Sequence, residues 1–407
     1  MTDRYDVVII GAGQAGLAVS HELRSAGVDH VVIERRRIAE TWRGRWDSFC
    51  LVTPNWFINL PGGAYDGPDP DGFMPRDDIV AHMERYARSF EAPVREGVEV
   101  TRLRRNGDGF VLETAGGPIE ARAVVLATGA YQRAHRPAGA AGLPPGIATL
   151  NTEDYRNPNE LPPGRVLVVG SGQTGIQLAE ELHEAGRDVV VACGRAPWFP
   201  RTIDGRDLVR WSLDIGFLDV RTEDLPSPAA RLVANVQASG HGGGHDLHYR
   251  TLQSIGVTLA GRLAGADERH AYFAPDLADS VAFGDARYRD LRGLIEKHCT
   301  ATGIPMPEVP DPPPFAAEPP ESVDLSEFGA VMFTSGFRPD YESWVDVPGA
   351  FDDMGFPVHA EGASTVAPGL YFVGVHFLRK RKSTILGGVG EDATIVAAQV
   401  VEAVGAG

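Results

Sequence analysis

Two glycine-rich turns of the same type occur in this chain, and each one follows a short apolar run. The first turn is GAGQAG (residues 11–16) after residues 7–10, and the second is GSGQTG (residues 170–175) after residues 166–169. Helical periodicity follows each turn. Strand, glycine turn and helix in this order predict a dinucleotide site, in which the pyrophosphate meets the N-terminus of the helix.

The three glycines of each turn have separate roles. The first permits the tight turn, the second lets the pyrophosphate approach the backbone, and the third lets the helix pack on the strand. The predicted glycines are Gly11, Gly13 and Gly16 in the first turn and Gly170, Gly172 and Gly175 in the second. Two such sites on one chain predict electron transfer between two bound nucleotides.

The residue at the end of the next strand indicates which dinucleotide each site prefers. Glu34 lies 23 residues after Gly11, where a carboxylate accepts hydrogen bonds from a ribose diol. Arg195 lies 25 residues after Gly170, where a guanidinium suits a 2′-phosphate and favours NADP over NAD. A solvated loop arginine is the alternative interpretation of Arg195.

Length and composition exclude several other classes of protein and partner. The 407 residues suffice for two substantial cores, and the formal net charge of −17 argues against nucleic acid or an anionic membrane surface as a partner. No apolar run reaches the roughly 18 residues of a membrane span, and the first strand begins too early for a signal peptide, so we expect a cytoplasmic protein. Cys50, Cys193 and Cys299 form no CxxC motif and no disulfide or metal pattern.

We predict an α/β fold with two Rossmann-like dinucleotide-binding domains, the second inserted within the first. The first domain is expected over residues 1–160 and 326–407, and the second over residues 161–325. The inserted domain is expected to include a helical substrate region.

Several further segments resemble the flavin-dependent monooxygenases that have two dinucleotide-binding domains. They are TWRGRWDS (41–48), LVTP (51–54), LPG (60–62), ATG (127–129), DYRNP (154–158), TSGFRPD (334–340), RKS (381–383) and GVGEDA (388–393). The chain is most similar to bacterial flavoproteins described as involved in K+ transport. It resembles more distantly the flavin-containing, plant indole-pyruvate and Baeyer–Villiger monooxygenases. The resemblance covers nearly the whole chain.

The resemblance implies that the first domain holds FAD and the second holds NADPH. The FAD contacts are expected from Gly11, Gly13, Gly16, Glu34, Arg35, Trp42, Arg45, Trp46, Val100, Thr128, Gly129, Glu391 and Asp392. The NADPH contacts are expected from Gly170, Gly172, Gln173, Thr174, Gly175 and Arg195. The last helix, opened by residues 390–392, would aim backbone N–H groups at the flavin ring and stabilise negative charge on it. Trp42 and Trp46 are expected to wall the flavin, with burial in the core as the alternative.

The linker before the second turn departs from the pattern of the monooxygenases, F-x-G-x-x-x-H-x-x-x-(Y/F/W). Pro145, Ile147 and Asn151 stand where Phe, Gly and His are expected. The replacement of histidine by Asn151 argues against Baeyer–Villiger chemistry and weakens the case for oxygen insertion.

Three polar residues are candidates for a catalytic role, and none of them can be assigned as a general base. Asn55 and Asn59 lie near Pro54, which replaces the asparagine of animal-type relatives. His245 lies in a glycine-rich loop that would not hold a helix, so we predict no metal site there. The basic run at residues 379–382 is either a solvated turn or a group that faces a cofactor.

These observations predict an NADPH- and FAD-dependent monooxygenase that oxygenates a small organic substrate with O2, with nitrogen or sulfur favoured as the oxidised atom. In the enzymes that the chain resembles, a flavin C4a-(hydro)peroxide delivers the oxygen in a pocket that excludes water. One alternative is an NADPH oxidoreductase that passes electrons to a quinone or protein acceptor without inserting oxygen. Another is a redox sensor that binds both nucleotides. A homodimer is compatible with these patterns.

Overall fold

The computed structural model describes residues 3–405. Its two largest sheets have parallel strands at their centres, and helices connect many of these strands. This confirms the predicted α/β fold with two Rossmann-like units. The helices are Gln14–Ser25, Glu40–Arg43, Arg76–Ser89, Gln173–Glu184, Leu208–Asp214, Tyr249–Ser254, Leu277–Thr302 and Val389–Gly405. Single 3-10 turns are Asn55–Phe57, Ala138–Gly142, Thr152–Asp154, Pro158–Glu160, Phe217–Asp219, Thr222–Asp224, Pro228–Leu232, His241–Gly243, Leu325–Glu327 and Arg381–Thr384.

The first sheet has a parallel core with an antiparallel extension. Its parallel strands, in spatial order, are Leu370–Phe372, Ile119–Leu126, Asp3–Ile10, His30–Glu34 and Val94–Glu96. The other strands are Val100–Asn106, Gly109–Thr114, Val345–Asp346, His359–Ala360 and Ala363–Ser364. Val7, Val8 and Ile9 are completely buried, because helices or strands cover both faces of the central strand.

The second sheet is parallel throughout. Its strands, in spatial order, are Ala148–Asn151, Phe328–Phe333, Arg165–Val169, Val189–Ala192 and Thr258–Ala260. A smaller antiparallel sheet contains Leu263–Ala266, His270–Phe273 and Ser322–Asp324. Two short hairpins pair Asn59–Leu60 with Gly63–Ala64 and Thr202–Ile203 with Arg206–Asp207.

The chain passes between the two sheets along one antiparallel ribbon, in which Arg133–Ala134 pairs with Phe337–Arg338. Ala148–Asn151 and Phe328–Phe333 both pair within the second sheet. We therefore propose that the units meet at the ribbon, in place of the limits expected from the sequence at residues 160 and 325. The sequence analysis did not predict the strand Ala148–Asn151, because it lies in a proline- and glycine-rich stretch and its partner strand is distant in the sequence.

Arg201 joins the two units through a buried guanidinium that is 3% exposed. Its Nη1 donates to the carbonyl of Val52 in the first unit (2.6 Å), and its Nη2 donates to Asp207 in the second. Its backbone N–H donates to the carboxylate of Asp246 (2.6 Å), and its guanidinium carbon lies 4.5 Å from the centre of the Phe73 ring. Burial lowers the pKa of Arg201, and the Asp207 carboxylate acts in the opposite direction.

Replacement of Arg201 by methionine should lower the free energy of unfolding by about 3–5 kcal/mol, because it leaves the Asp207 carboxylate in a largely buried place without its partner. The ion pair Arg287–Asp290, in which both side chains are half-exposed, provides the control, since Arg287→Met should cost less than about 1 kcal/mol. Chemical denaturation measures both. Similar losses in the two variants would show that Arg201 does not join the units.

Candidate functional site

The first glycine turn fits a pyrophosphate at the N-terminus of the helix Gln14–Ser25. Gly11 has a φ of +109°, and a Cβ there would lie 2.5 Å from the carbonyl oxygen of Ala127. A Cβ on Gly16 would lie 1.9 Å from the carbonyl oxygen of Gly11, whereas a Cβ on Gly13 would meet no atom within 4 Å. Gly11 and Gly16 therefore close the turn, and Gly13 leaves the space beside the helix N–H groups that a dinucleotide needs.

Gly13→Val should give a folded protein that has lost most of its flavin. Gly13 has a φ of −83° and a ψ of −172°, a conformation open to valine, so the new side chain would fill the space meant for the pyrophosphate. Flavin absorbance per polypeptide and circular dichroism provide the two measurements. Gly16→Val is the contrasting variant, because its clash with the Gly11 carbonyl should disrupt the fold itself. Full flavin content in Gly13→Val would refute the site.

Glu34 stands at the end of its strand beside the first turn, as predicted. Its carboxylate accepts a hydrogen bond from the backbone N–H of Ala12 (2.9 Å), which orients it and leaves other lone pairs for ribose hydroxyls. The side chain of Arg35 is exposed. The N–H of Val98 donates to the carbonyl of Glu34 (2.9 Å), and the predicted Val100 begins the following strand.

Gln132 holds the predicted pair Thr128 and Gly129 at the end of the strand Ile119–Leu126. Its Nε2 donates to the hydroxyl of Thr128 (3.1 Å) and the carbonyl of Gly129 (2.8 Å), and its Oε1 accepts from the N–H of Asp340 (2.6 Å). A Cβ on Gly129 would meet nothing within 4 Å. The sequence analysis missed Gln132, because a lone glutamine near the ribbon carries no spacing signal.

The two predicted tryptophans have different surroundings. The Nε1 of Trp42 donates to the side chain of Gln14 in the first turn (2.8 Å), and Gln14 in turn donates to the carbonyl of Thr384 (2.7 Å). Trp46 is 3% exposed and packs with Tyr155 in the core of the second unit. The structure therefore places Trp46 in the core, the alternative left open above, because its loop folds over the apolar side chains of the other unit.

Arg45 presents an unpaired cation near the ribbon. Its Nε is buried and has no hydrogen-bond partner in the described part of the chain. Its guanidinium lies 4.8 Å from the ring of Tyr131 and 5.7 Å from that of Phe49. The two rings fix the orientation of the group, and its charge lies beside the segment that joins the two units.

The terminal helix Val389–Gly405 begins against the segment that contains both candidate asparagines, Asn55 and Asn59. A Cβ on Gly390 would lie 2.8 Å from the carbonyl oxygen of Asn59, and the N–H of Asn59 donates to the carbonyl of Leu386 (3.1 Å). The side chain of Asn59 is exposed. The positive end of the helix dipole lies at this junction, where it stabilises negative charge on a neighbouring group.

Asp392 in the first turn of the terminal helix has one paired and one unpaired oxygen. Its Oδ1 accepts from Nη1 of Arg379 (3.0 Å), and its Oδ2 is buried without a hydrogen-bond partner among residues 3–405. Burial raises the pKa of this carboxyl group. Glu391 beside it pairs with Lys380 (2.7 Å). A buried acceptor without a donor fits the hydroxyl groups of a flavin side chain, so the residues present here suit the expected cofactor.

The second glycine turn repeats the geometry of the first. Gly170 has a φ of +112°, a Cβ on Gly175 would lie 2.1 Å from the Gly170 carbonyl oxygen, and a Cβ on Gly172 would meet only the Cβ of Ala234, at 3.5 Å. Gln173 donates through its side chain to the carbonyl of Val236 (3.1 Å), and Thr174 follows it in the first turn of the helix, half-buried. This turn therefore also suits a pyrophosphate.

Arg195 lies beside the second turn with an exposed side chain. The preceding N–H, of Gly194, donates to the hydroxyl of Ser171 within that turn (2.8 Å), which fixes the start of the loop. The guanidinium lies 6.0 Å from the ring of Phe283. The residue is therefore placed where a 2′-phosphate on the adenosine ribose could reach it.

Arg195→Ala should weaken the binding of NADPH much more than that of NADH, because only NADPH carries the 2′-phosphate. A lost charge-assisted contact is worth roughly 1.5–3 kcal/mol, or about one to two decades in affinity. Titration with each coenzyme measures the change, and Arg289→Ala, which removes an exposed arginine of the same unit, controls for net charge. Equal losses for both coenzymes would exclude the phosphate role.

Two of the candidate catalytic residues have structural partners. Asn55 is buried; its Nδ2 donates to the carbonyl of Asp69 (2.9 Å) and its Oδ1 accepts from the N–H of Met74 (2.8 Å). His245 contacts Glu180 through Nε2 (2.7 Å). Within residues 3–405, no group of three or more His, Cys, Asp or Glu side chains is arranged to hold a metal ion.

The two glycine turns, each at the N-terminus of a helix that follows a parallel strand, are typical of an oxidoreductase that uses a flavin and a pyridine nucleotide. A sequence model of the family described as pyridine nucleotide-disulphide oxidoreductase matches residues 8–210. The chain is 31% identical over 390 residues to an uncharacterized CzcO-like oxidoreductase of Geobacillus kaustophilus, and the alignment covers 95% of this chain and 96% of that one. The chain belongs to this family of CzcO-like flavoprotein oxidoreductases.

Relatives with assigned activities cover less of the chain or are more distant. The indole-3-pyruvate monooxygenase YUCCA4 of Oryza sativa subsp. japonica is 32% identical over 206 residues, which cover 45% of this chain and 46% of that one. The structure of a flavin-containing monooxygenase from Stenotrophomonas maltophilia has a TM-score of 0.69 at 19% identity, covering 98% of this chain and 99% of that one. In the described part of the chain, no helix is both long and apolar enough to cross a membrane.

Proposed function

We propose that this protein is an NADPH- and FAD-dependent monooxygenase that inserts one oxygen atom of O2 into a small organic substrate, at nitrogen or sulfur. The observation that carries the proposal is a separate apolar cluster next to the start of the terminal helix. We call it the Phe57 cluster; its members are Trp56, Phe57, Val209, Leu213, Phe217, Leu218 and Ile385. A Cβ on Gly387, just before that helix, would lie 2.5 Å from the Phe57 ring.

The Phe57 cluster suits the chemistry because oxygen transfer needs a place from which water is excluded. FAD, when bound, supplies the means to take electrons from NADPH and to reduce O2. The residues of the first turn hold its pyrophosphate, and the N-terminus of the terminal helix stabilises negative charge near its ring. The cluster then keeps water away and packs against an apolar substrate.

The cysteines argue against dithiol chemistry, although the matching family model is named for it. Cys193 and Cys299 are buried, and Cys50 is half-buried in the loop after Trp46. Burial raises the pKa of Cys50 to about 11, so its thiol stays protonated at neutral pH. Neither a cysteine pair nor a reactive thiolate is therefore in place to exchange with a disulfide.

The linker residue Asn151 supports a second candidate function, electron transfer from NADPH to a quinone or protein acceptor without oxygen insertion. Its side chain accepts from Nε of Arg136 (2.8 Å), and its N–H donates to Asp154 (3.0 Å). It therefore caps a 3-10 turn, and it brings none of the acid–base chemistry of a histidine to this position.

The two candidates differ in where the electrons of NADPH go. With isotopically labelled O2 and a panel of tertiary amines and thioethers, we expect a product that carries labelled oxygen and a hydrogen peroxide yield well below the NADPH consumed. The Gly13→Val apoprotein is the control for free-flavin chemistry. Stoichiometric peroxide with every substrate, together with fast reduction of quinones, would favour the reductase instead.

A further inference from the structure

The basic run at residues 379–382 contains one cation that differs from its neighbours. Arg379 donates to Glu361 and Asp392, and Lys380 and Lys382 both pair with Asp219 and Glu391. Among residues 3–405, the guanidinium of Arg381 makes neither an ion pair nor a hydrogen bond, and its Nε is buried without a partner. Three cations of the run are thus neutralised within the protein, and the fourth is not.

Arg381 is held in one orientation by aromatic rings. Its guanidinium carbon lies 4.2 Å from the centre of the Phe217 ring and 5.0 Å from that of Phe377, and its backbone N–H donates to the carbonyl of Val220 (3.0 Å). Burial lowers the pKa of Arg381 to about 10, which still leaves the group cationic at neutral pH. The cation is preorganised, and no carboxylate of the described chain compensates it.

Two donor groups in this region, the Nε of Arg381 and an indole N–H, have no acceptor in the part of the chain that the structure describes. Phe217, which stacks on the guanidinium, also belongs to the Phe57 cluster. In the same cluster the indole Nε1 of Trp56 is buried without a hydrogen-bond partner. A half-buried cation and a buried N–H group without acceptors are costly, and a ligand that brings acceptor oxygens removes that cost.

We propose that Arg381 binds the carboxylate of an apolar organic acid, whose hydrocarbon or aromatic body packs on the Phe57 cluster. This assigns the substrate class of the proposed monooxygenase and rests on that proposed function. The acid group anchors one end of the molecule at the guanidinium, and the apolar end lies beside the N-terminus of the terminal helix. Arg381 is thus a specificity-determining residue, in contrast to the three structural cations beside it.

Binding of matched acids and amides tests the proposal without any turnover. The probes are benzoate, phenylacetate and hydrocinnamate, each beside its neutral amide, titrated calorimetrically into the flavin-loaded protein without NADPH. We expect at least one acid to bind about tenfold or more tightly than its amide, because a half-buried charge-assisted hydrogen bond contributes about that much to the affinity. Arg381→Gln should abolish the preference, Arg381→Lys should keep part of it, and Arg289→Gln should leave it intact.

Other outcomes would overturn the assignment. If no acid outcompetes its amide in the wild-type protein, or if Arg381→Gln keeps the preference, Arg381 does not recognise a carboxylate. If Arg381→Gln folds by circular dichroism but loses its flavin, the cation belongs to the cofactor site. Because these measurements involve neither O2 nor product, they can fail while the monooxygenase proposal stands, and the labelled-oxygen experiment can fail while carboxylate binding stands.

Discussion

The close contact between each fingerprint helix and its own glycine turn determines where both nucleotides can lie. A Cβ on Gly16 would lie 1.9 Å from the carbonyl oxygen of Gly11, and a Cβ on Gly175 would lie 2.1 Å from that of Gly170. Both distances are steric clashes, so only glycine fits at these positions. The helices can therefore start directly at the carboxyl edge of their sheets, with their free N–H groups pointing outward. The same constraint acts twice, and it leaves on each sheet one helix N-terminus that suits a pyrophosphate.

The relation between the two sites depends on contacts that cross between the units. The ribbon of Arg133–Ala134 and Phe337–Arg338 carries the chain in both directions, and Arg201 ties the loop at Val52 to the second unit. Asp219 of the second unit pairs with Lys380 (3.0 Å) near the terminal helix. The first two links are backbone pairing and a buried cation, so salt screens them little, whereas the pair at Asp219 is partly exposed and more sensitive to salt.

Local patterns predicted the fold well, and long-range contacts account for what they missed. The strand–turn–helix units, Glu34 and Arg195 were predictable because spacing along one unit determines their positions. The strand Ala148–Asn151, the burial of Trp46 and the role of Gln132 depend on residues far away in the sequence. Asn55 was selected for its proximity to a family motif, but its amide is committed to holding the loop at Asp69 and Met74. The identity of the nucleotides as FAD and NADPH stays a prediction.

The structure separates the two glycine turns from the Phe57 cluster, where we propose that the substrate binds. The two glycine turns consist of backbone N–H groups and glycines, so few substitutions are tolerated in them. The Phe57 cluster, in contrast, consists of side chains. Its members come from the segment around Phe57, from residues 209–218 of the second unit and from Ile385. The cluster therefore exists only while the two units are docked, and under the proposed function side-chain changes in 209–218 alter the substrate without touching either glycine turn. Arg381 stacks on Phe217 of that same segment, so the charge and the apolar surface that we propose for substrate selection are coupled to the docking of the units.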